Sequence, residues 1–240
     1  MAAFTRPPDS RGKKGNEGSA AGMAAELIRV PEAEQDIAPG EAQMRTETQA
    51  VEIGKFVEGL QSLPRFTATE VYGYVKAHPV QPESLRPYLF FNPAGYTRNL
   101  IFKNERFELL ALCWEIGQAS RIHNHRDQQC WMAVPVGKLA VQDYSVRDRN
   151  PVEKTCRLEP SKRYLITPTE PAEVDQNEPV HAVLNLPEFG ERAVSLHIYS
   201  IPFQSCEVYS LENGTYRDVP LYYTSEYGKL CDGETAAPLR

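Results

Sequence analysis

The feature that most constrains this chain is a rhythm. From about Tyr96 onward, short apolar runs alternate with turn-forming residues at roughly 8–15-residue spacing, the pattern of an all-β sandwich or barrel. RFELLALCW (106–114) reads as a buried strand, and GKLAVQDYSV (137–146) alternates as a half-buried one does. RYLITP (163–168), HAVLNL (181–186), AVSLHIYS (193–200) and SCEVYSL (205–211) follow. The run Arg147-Asp148-Arg149-Asn150-Pro151 reads as a solvated turn. Ahead of the strands, residues 47–90 read as helical. Val51, Ile53, Phe56, Val57 and Leu60 suit one amphipathic helix. Thr67 or Thr69 would cap a second, and His78-Pro79 would end it.

Residues 1–46 hold little that could offset their ordering entropy, so a disordered tail is expected there. One domain is expected over 47–232, with a C-terminal tail over 233–240. Lys and Arg number 26 against 32 Asp and Glu, and the net charge of −6 argues against a general nucleic-acid binder. No apolar run approaches a membrane span. The cysteines number five, an odd count, with no CxxC pair, unlike a disulfide framework or a four-cysteine zinc site. The first residues carry basic side chains but no apolar signal-peptide core. A cytoplasmic monomer is therefore expected.

Chemistry concentrates in G117-x5-H123-x-H125-x4-C130-x6-G137. Two histidines two apart on a strand face the same way and can converge on one ion. Neutral imidazole suits zinc, copper, iron or nickel. Taken alone the pair also fits two surface histidines, since Asn124, Arg126 and Asp127 are polar. Gly117 and Gly137 sit where turns would enter and leave a hairpin, and His181-x3-Asn185 opens a later strand with a third histidine. On the strand at 193–200, Val194, Leu196 and Ile198 share one face and Ser195, His197 and Tyr199 the other. The second row can hydrogen-bond within itself, although a solvated strand face would look the same. In Y96-T-R98-N-L, an arginine just ahead of a buried strand can grip a carboxylate through two parallel hydrogen bonds, although an isolated arginine is more commonly a surface residue.

The histidine elements resemble the two metal motifs of the cupin β-barrel superfamily, with Cys130 where Glu is usual and without the usual PxG of the second motif. YTRNL (96–100), LCW (112–114), IHNHRDQQC (122–130), the His181 region and SLHIYS (195–200), in that order, resemble the thiol dioxygenase branch, and within it the cysteine dioxygenase family. The resemblance implies a mainly β, small cupin-type barrel (jelly roll) with N-terminal helices. It implies Fe²⁺ held by His123, His125 and His181, a substrate carboxylate on Arg98, and Tyr96 lining the same pocket. Tyr199 matches the active-site tyrosine, with His197 and Ser195 as its relay. Cys130 matches the cysteine that forms a thioether with that tyrosine in eukaryotic-type members; many bacterial members have Gly there. The implied reaction adds both atoms of O₂ to the thiol of L-cysteine, giving the sulfinic acid.

After Ser200 the cysteine-specific pattern carries two prolines, and here Ile201-Pro202 stands instead. A trans bond is expected before Ile201, because cis would cost roughly 2.5–4 kcal/mol. This departure keeps other mercapto acids open, 3-mercaptopropionate or mercaptosuccinate among them. The competing readings are a non-catalytic metal-binding cupin and, last, a zinc or nickel cupin isomerase, which would usually keep the Glu that Cys130 replaces.

Overall fold

The computed structural model describes residues 50–174, 176–177 and 179–231, so the tails expected over 1–46 and 233–240 lie outside the described residues. Helices α1 (Ile53–Ser62) and α2 (Ala68–Ala77) come first, then a 3₁₀ segment, Pro82–Tyr88. Ile53, Phe56 and Leu60 recur at helical spacing and form the buried stripe of α1. Thr67 caps α2 by accepting the Glu70 amide hydrogen, and Thr69 falls inside the first turn. The helix stops at His78, because the residue before a proline avoids helical torsions.

The strands that follow are β1 (Thr97–Lys103), β2 (Phe107–Trp114), β3 (Ile122–His123), β4 (Cys130–Val136) and β5 (Leu139–Asn150). Then come β6 (Thr155–Ile166), β7 (Ala172–Glu173), β8 (Val180–Leu184) and β9 (Ala193–Ser200). The last are β10 (Ser205–Ser210), β11 (Thr215–Pro220), β12 (Ser225–Glu226) and β13 (Lys229–Leu230). One sheet runs β13-β12-β1-β2-β9-β4-β7, and the other closes on itself as β10-β11-β6-β5-β8-β3. This is the mainly β, cupin-type barrel with helices ahead of it that the resemblance implied.

The first sheet separates two apolar clusters. Val194, Leu196 and Ile198 of β9 pack with Phe56, Leu60, Val71, Val75 and Trp131, so this face is covered by the helices. Tyr199, Cys130, Met132, Leu110 and Leu112 belong to the cluster inside the barrel. Gly137 turns β4 into β5 at φ 72°; a Cβ there would lie 2.7 Å from the Arg192 carbonyl oxygen, so glycine is required.

Three sequence expectations need correction. The charged run 147–150 is not a turn: β5 continues to Asn150, where the chain reverses. The extension is held by pairing to β6 and by Arg149, whose guanidinium bonds Glu207 and lies over the Tyr216 ring. Arg98 does not precede a strand but sits within one, because β1 pairs antiparallel with β2 from Thr97 onward. β6 begins at Thr155, eight residues before the apolar signal, since much of that half is exposed and carries no pattern.

Candidate active site

His123 ends β3 and pairs directly with His181 on β8. His125 lies beyond the strand, where Arg126 and Asp127 take positive φ of 53° and 64° and turn the chain back. Strand alternation alone therefore does not orient the pair, yet the rings converge. Their centroids are 5.1, 4.8 and 4.8 Å apart, and one ligand atom from each residue lies within 4.8 Å of the others.

The nitrogens test whether a metal fits. Both ring nitrogens of His125 and of His181 are buried without a hydrogen-bond partner among the described residues. Buried polar atoms are rarely left so. His123 uses Nδ1 on the Arg121 carbonyl at 2.8 Å, which leaves Nε2 for the shared centre. Desolvation comes first in lowering the His123 pKa to about 4, and it drives His125 and His181 well below the usual histidine value. All three are thus neutral donors near pH 7, as metal coordination requires. The set fits a first-row divalent ion, with no carboxylate to reduce its charge.

Arg98 points into the same pocket from β1, and Tyr96 lines it too, stacked on Trp114 at 4.4 Å. The Arg98 guanidinium is buried, with Nε and one terminal nitrogen lacking partners among the described residues. That edge is the one that grips a carboxylate in parallel, and a buried unpaired cation is costly enough to favour an anion there.

β9 supplies a directed chain. Trp114 Nε1 donates to Ser195 Oγ at 2.9 Å, Ser195 Oγ lies 3.0 Å from His197 Nε2, and His197 Nδ1 lies 3.2 Å from the Tyr199 hydroxyl. Trp114 can only donate, so Ser195 Oγ accepts there; its second lone pair can accept from His197 Nε2 or its own hydrogen can go to that nitrogen, according to the tautomer. In the tautomer with the hydrogen on Nδ1, neutral His197 gives it to the Tyr199 oxygen. Burial first, then the Arg98 and His123 charges, lowers His197 to about 3 and keeps it neutral. The Tyr199 hydrogen is then left for the pocket or for the neighbouring Cys130 sulfur. Burial and neighbouring Cys130 raise the Tyr199 pKa well above the usual value, so it stays a donor. Trp114, given no role from sequence, anchors this chain.

Cys130 on β4 is the direct cross-strand partner of Tyr199, and burial pushes its thiol pKa up. Asn185 stands apart from the site. Its side chain donates to the carbonyls of Glu115 and Glu191 and so ties loops together. The peptide bonds of the described residues are trans, and Ile201 takes an unusual positive φ of 63°. The sequence reading missed Arg121, Phe203 and Cys206, which also line the pocket. Phe203 meets Tyr199 edge-on at 5.0 Å. Only the nearness of Arg121 to the histidine pair could have signalled its place.

A family model described as cysteine dioxygenase type I matches residues 42–212. Cysteine dioxygenase type 1 of Danio rerio is 30% identical over 161 residues, 67% of this chain and 78% of that protein. The Bos taurus protein of the same name is 31% identical over 160 residues, 66% and 78% of the two chains. The Homo sapiens one is 30% identical over 171 residues, 71% and 83%. Among solved structures, a Klebsiella pneumoniae protein with a double-stranded β-helix domain gives a TM-score of 0.37 at 12% identity, over 56% of this chain and 87% of that one.

Proposed function

The chain belongs to the cysteine dioxygenase type I family, and from that premise we propose that it is a non-haem Fe²⁺ thiol dioxygenase converting L-cysteine and O₂ to cysteine sulfinic acid. One observation carries the reading: three converging histidines, two of them with both ring nitrogens buried and bare, lie beside a buried arginine that has no partner for its carboxylate-gripping edge among the described residues. His123, His125 and His181 would hold the ion. Bound there, Fe²⁺ would favour the thiolate and bring it together with O₂.

The chain's own groups do the rest. Arg98 would fix the substrate carboxylate and set where the sulfur lies. Tyr199 would donate its hydroxyl hydrogen towards the reacting atoms. His197, Ser195 and Trp114 hold that hydroxyl in one orientation at no reorganisation cost. Phe203 and Tyr96 limit water. A non-catalytic metal-binding cupin would have no use for Arg98 or for the directed chain.

The reading extends to a Cys130–Tyr199 thioether, supported by their direct pairing across β4 and β9. Peptide mapping should find the joined pair lighter by two hydrogens and Cys130 resistant to alkylation. Free Cys130 in turned-over enzyme removes this part alone.

One observation favours a second substrate reading. Arg121 lines the pocket mouth with no carboxylate at ion-pair distance among the described residues, and Arg217 adds positive charge nearby. A thiol with two carboxylates, such as mercaptosuccinate, would use both Arg98 and Arg121. An oxygen electrode with iron quantified decides between them on L-cysteine, 3-mercaptopropionate and mercaptosuccinate. Iron-loaded protein that consumes no O₂ with any of the three is not a thiol dioxygenase.

A further inference from the structure

The residue between the two neighbouring histidines has its own structure. Asn124 faces away from the pocket and meets β10 at Glu207. Its backbone N–H donates to the Glu207 carbonyl at 3.2 Å, and its Oδ1 accepts the Glu207 N–H at 3.0 Å. Its Nδ2 donates to Glu207 Oε2 at 2.8 Å and lies 3.3 Å from the Tyr209 hydroxyl. The amide orientation is forced, because a backbone N–H can only donate and a carboxylate can only accept. β3 pairs with β10 through Ile122 and His123 and then ends. The Asn124 side chain carries that pairing one residue further.

Glu207 is itself fixed. It is buried at 5% exposure, accepts from the Tyr209 hydroxyl at 2.8 Å, and receives Arg149 on its other oxygen at 2.8 Å. Arg149 rests over the Tyr216 ring at 4.3 Å, which stacks on Tyr209 at 5.5 Å. Along β10, Cys206 and Val208 line the pocket, so Glu207 and Tyr209 lie on the other face. The network touches no reacting group. His125 is the ligand that needs it, since neither of its ring nitrogens has a partner among the described residues to orient it.

We propose that Asn124 and Glu207 form a positioning clamp, which fixes the His123–His125 segment on β10 and so sets the aim of His125 into the metal centre. The inference rests on the metal reading of the three histidines. It assigns a task to a buried carboxylate that the proposed reaction does not use, and to a residue whose only apparent merit in the sequence was to separate two histidines.

The test measures Fe²⁺ affinity of the full chain by anaerobic competition with a chelator, well below the melting temperature of the metal-free protein. Asn124→Ala should weaken Fe²⁺ binding about 10- to 100-fold, the usual scale for lost outer-shell support. Asn124→Asp should weaken it at least as much, because two carboxylates would then face each other. Adding Glu207→Gln to Asn124→Asp restores a donor opposite an acceptor and should recover most of the affinity. That rescue separates aiming from general stability, which melting of the metal-free forms reports independently. Unchanged affinity in both single variants overturns the clamp, as does an exchanged pair no better than Asn124→Asp. Wild-type protein that holds no Fe²⁺ overturns the metal reading and the clamp with it.

Discussion

The two faces of β9 are buried alike and built by different rules. On one, Val194, Leu196 and Ile198 meet the helices through apolar contact alone. On the other, Ser195 and His197 are 1% and 3% exposed, yet every bond they make has a direction. Apolar packing tolerates substitution in proportion to volume, whereas a directed chain fails at its first missing atom. The contrast separates what keeps the barrel folded from what sets its chemistry. It makes variants on each face diagnostic.

The largest effect should come from the site. His181→Ala should abolish thiol-dependent O₂ uptake and iron retention, while the far-ultraviolet circular dichroism keeps its β signature. Activity surviving that change would break the contrast at its centre. Next, Leu196→Ala on the packing face should cost about 2–5 kcal/mol of stability by denaturant titration and leave turnover per folded, iron-loaded molecule unchanged. Turnover falling in step with stability would mean that the faces are not independent. Ser195→Ala should do the reverse: kcat lower by about 10- to 100-fold through misorientation of Tyr199, with a smaller stability loss of about 1–3 kcal/mol from the unpaired Trp114 N–H.

The last comparison is in pH. The ordinary histidine value is 6.5, and His197 falls to about 3 on folding. Between those values the unfolded chain binds more protons than the folded one, so stability falls as pH drops. The His197 contribution is fully present above about 6.5 and is lost towards about 3, with a slope of up to about 1.4 kcal/mol per pH unit. Replacing His197 by Gln should flatten part of that acid slope in a urea series. An unchanged slope would show that His197 is not held neutral.

Much of this was legible in the sequence, for reasons visible in particular residues. The strand at 193–200 matches β9 from end to end because its alternation is uninterrupted and both faces are buried. The residues expected to share a site do meet: His123, His125, Arg98, Tyr96 and Tyr199 line one pocket, with His181 against the first two. Other features left no trace. The first half of β6 is mostly half-buried without alternation and the charged end of β5 is exposed, so no periodicity marks them, and long-range pairing decides their conformation. His125 was expected to face the pocket by strand alternation and instead lies just past the end of β3, ahead of a positive-φ turn, in a segment where Asn124 bonds Glu207. The origin of the hydrogen-bonded chain through His197 lies at Trp114, which is 81 positions from Ser195 in sequence.

The direct pairing of His123 with His181 also bears on how the protein folds. About sixty residues separate the two, and the chain must close that loop before their rings can face each other. In the unfolded chain only the first two of these three histidines are neighbours, and two imidazoles hold a divalent metal weakly. Most of the metal's binding free energy is then gained only once β3 and β8 have paired, and it counts as folding free energy from that point. A centre assembled this way binds late in folding and mainly slows unfolding. Metal supply during synthesis would accordingly set how long the folded chain survives more than how fast it forms.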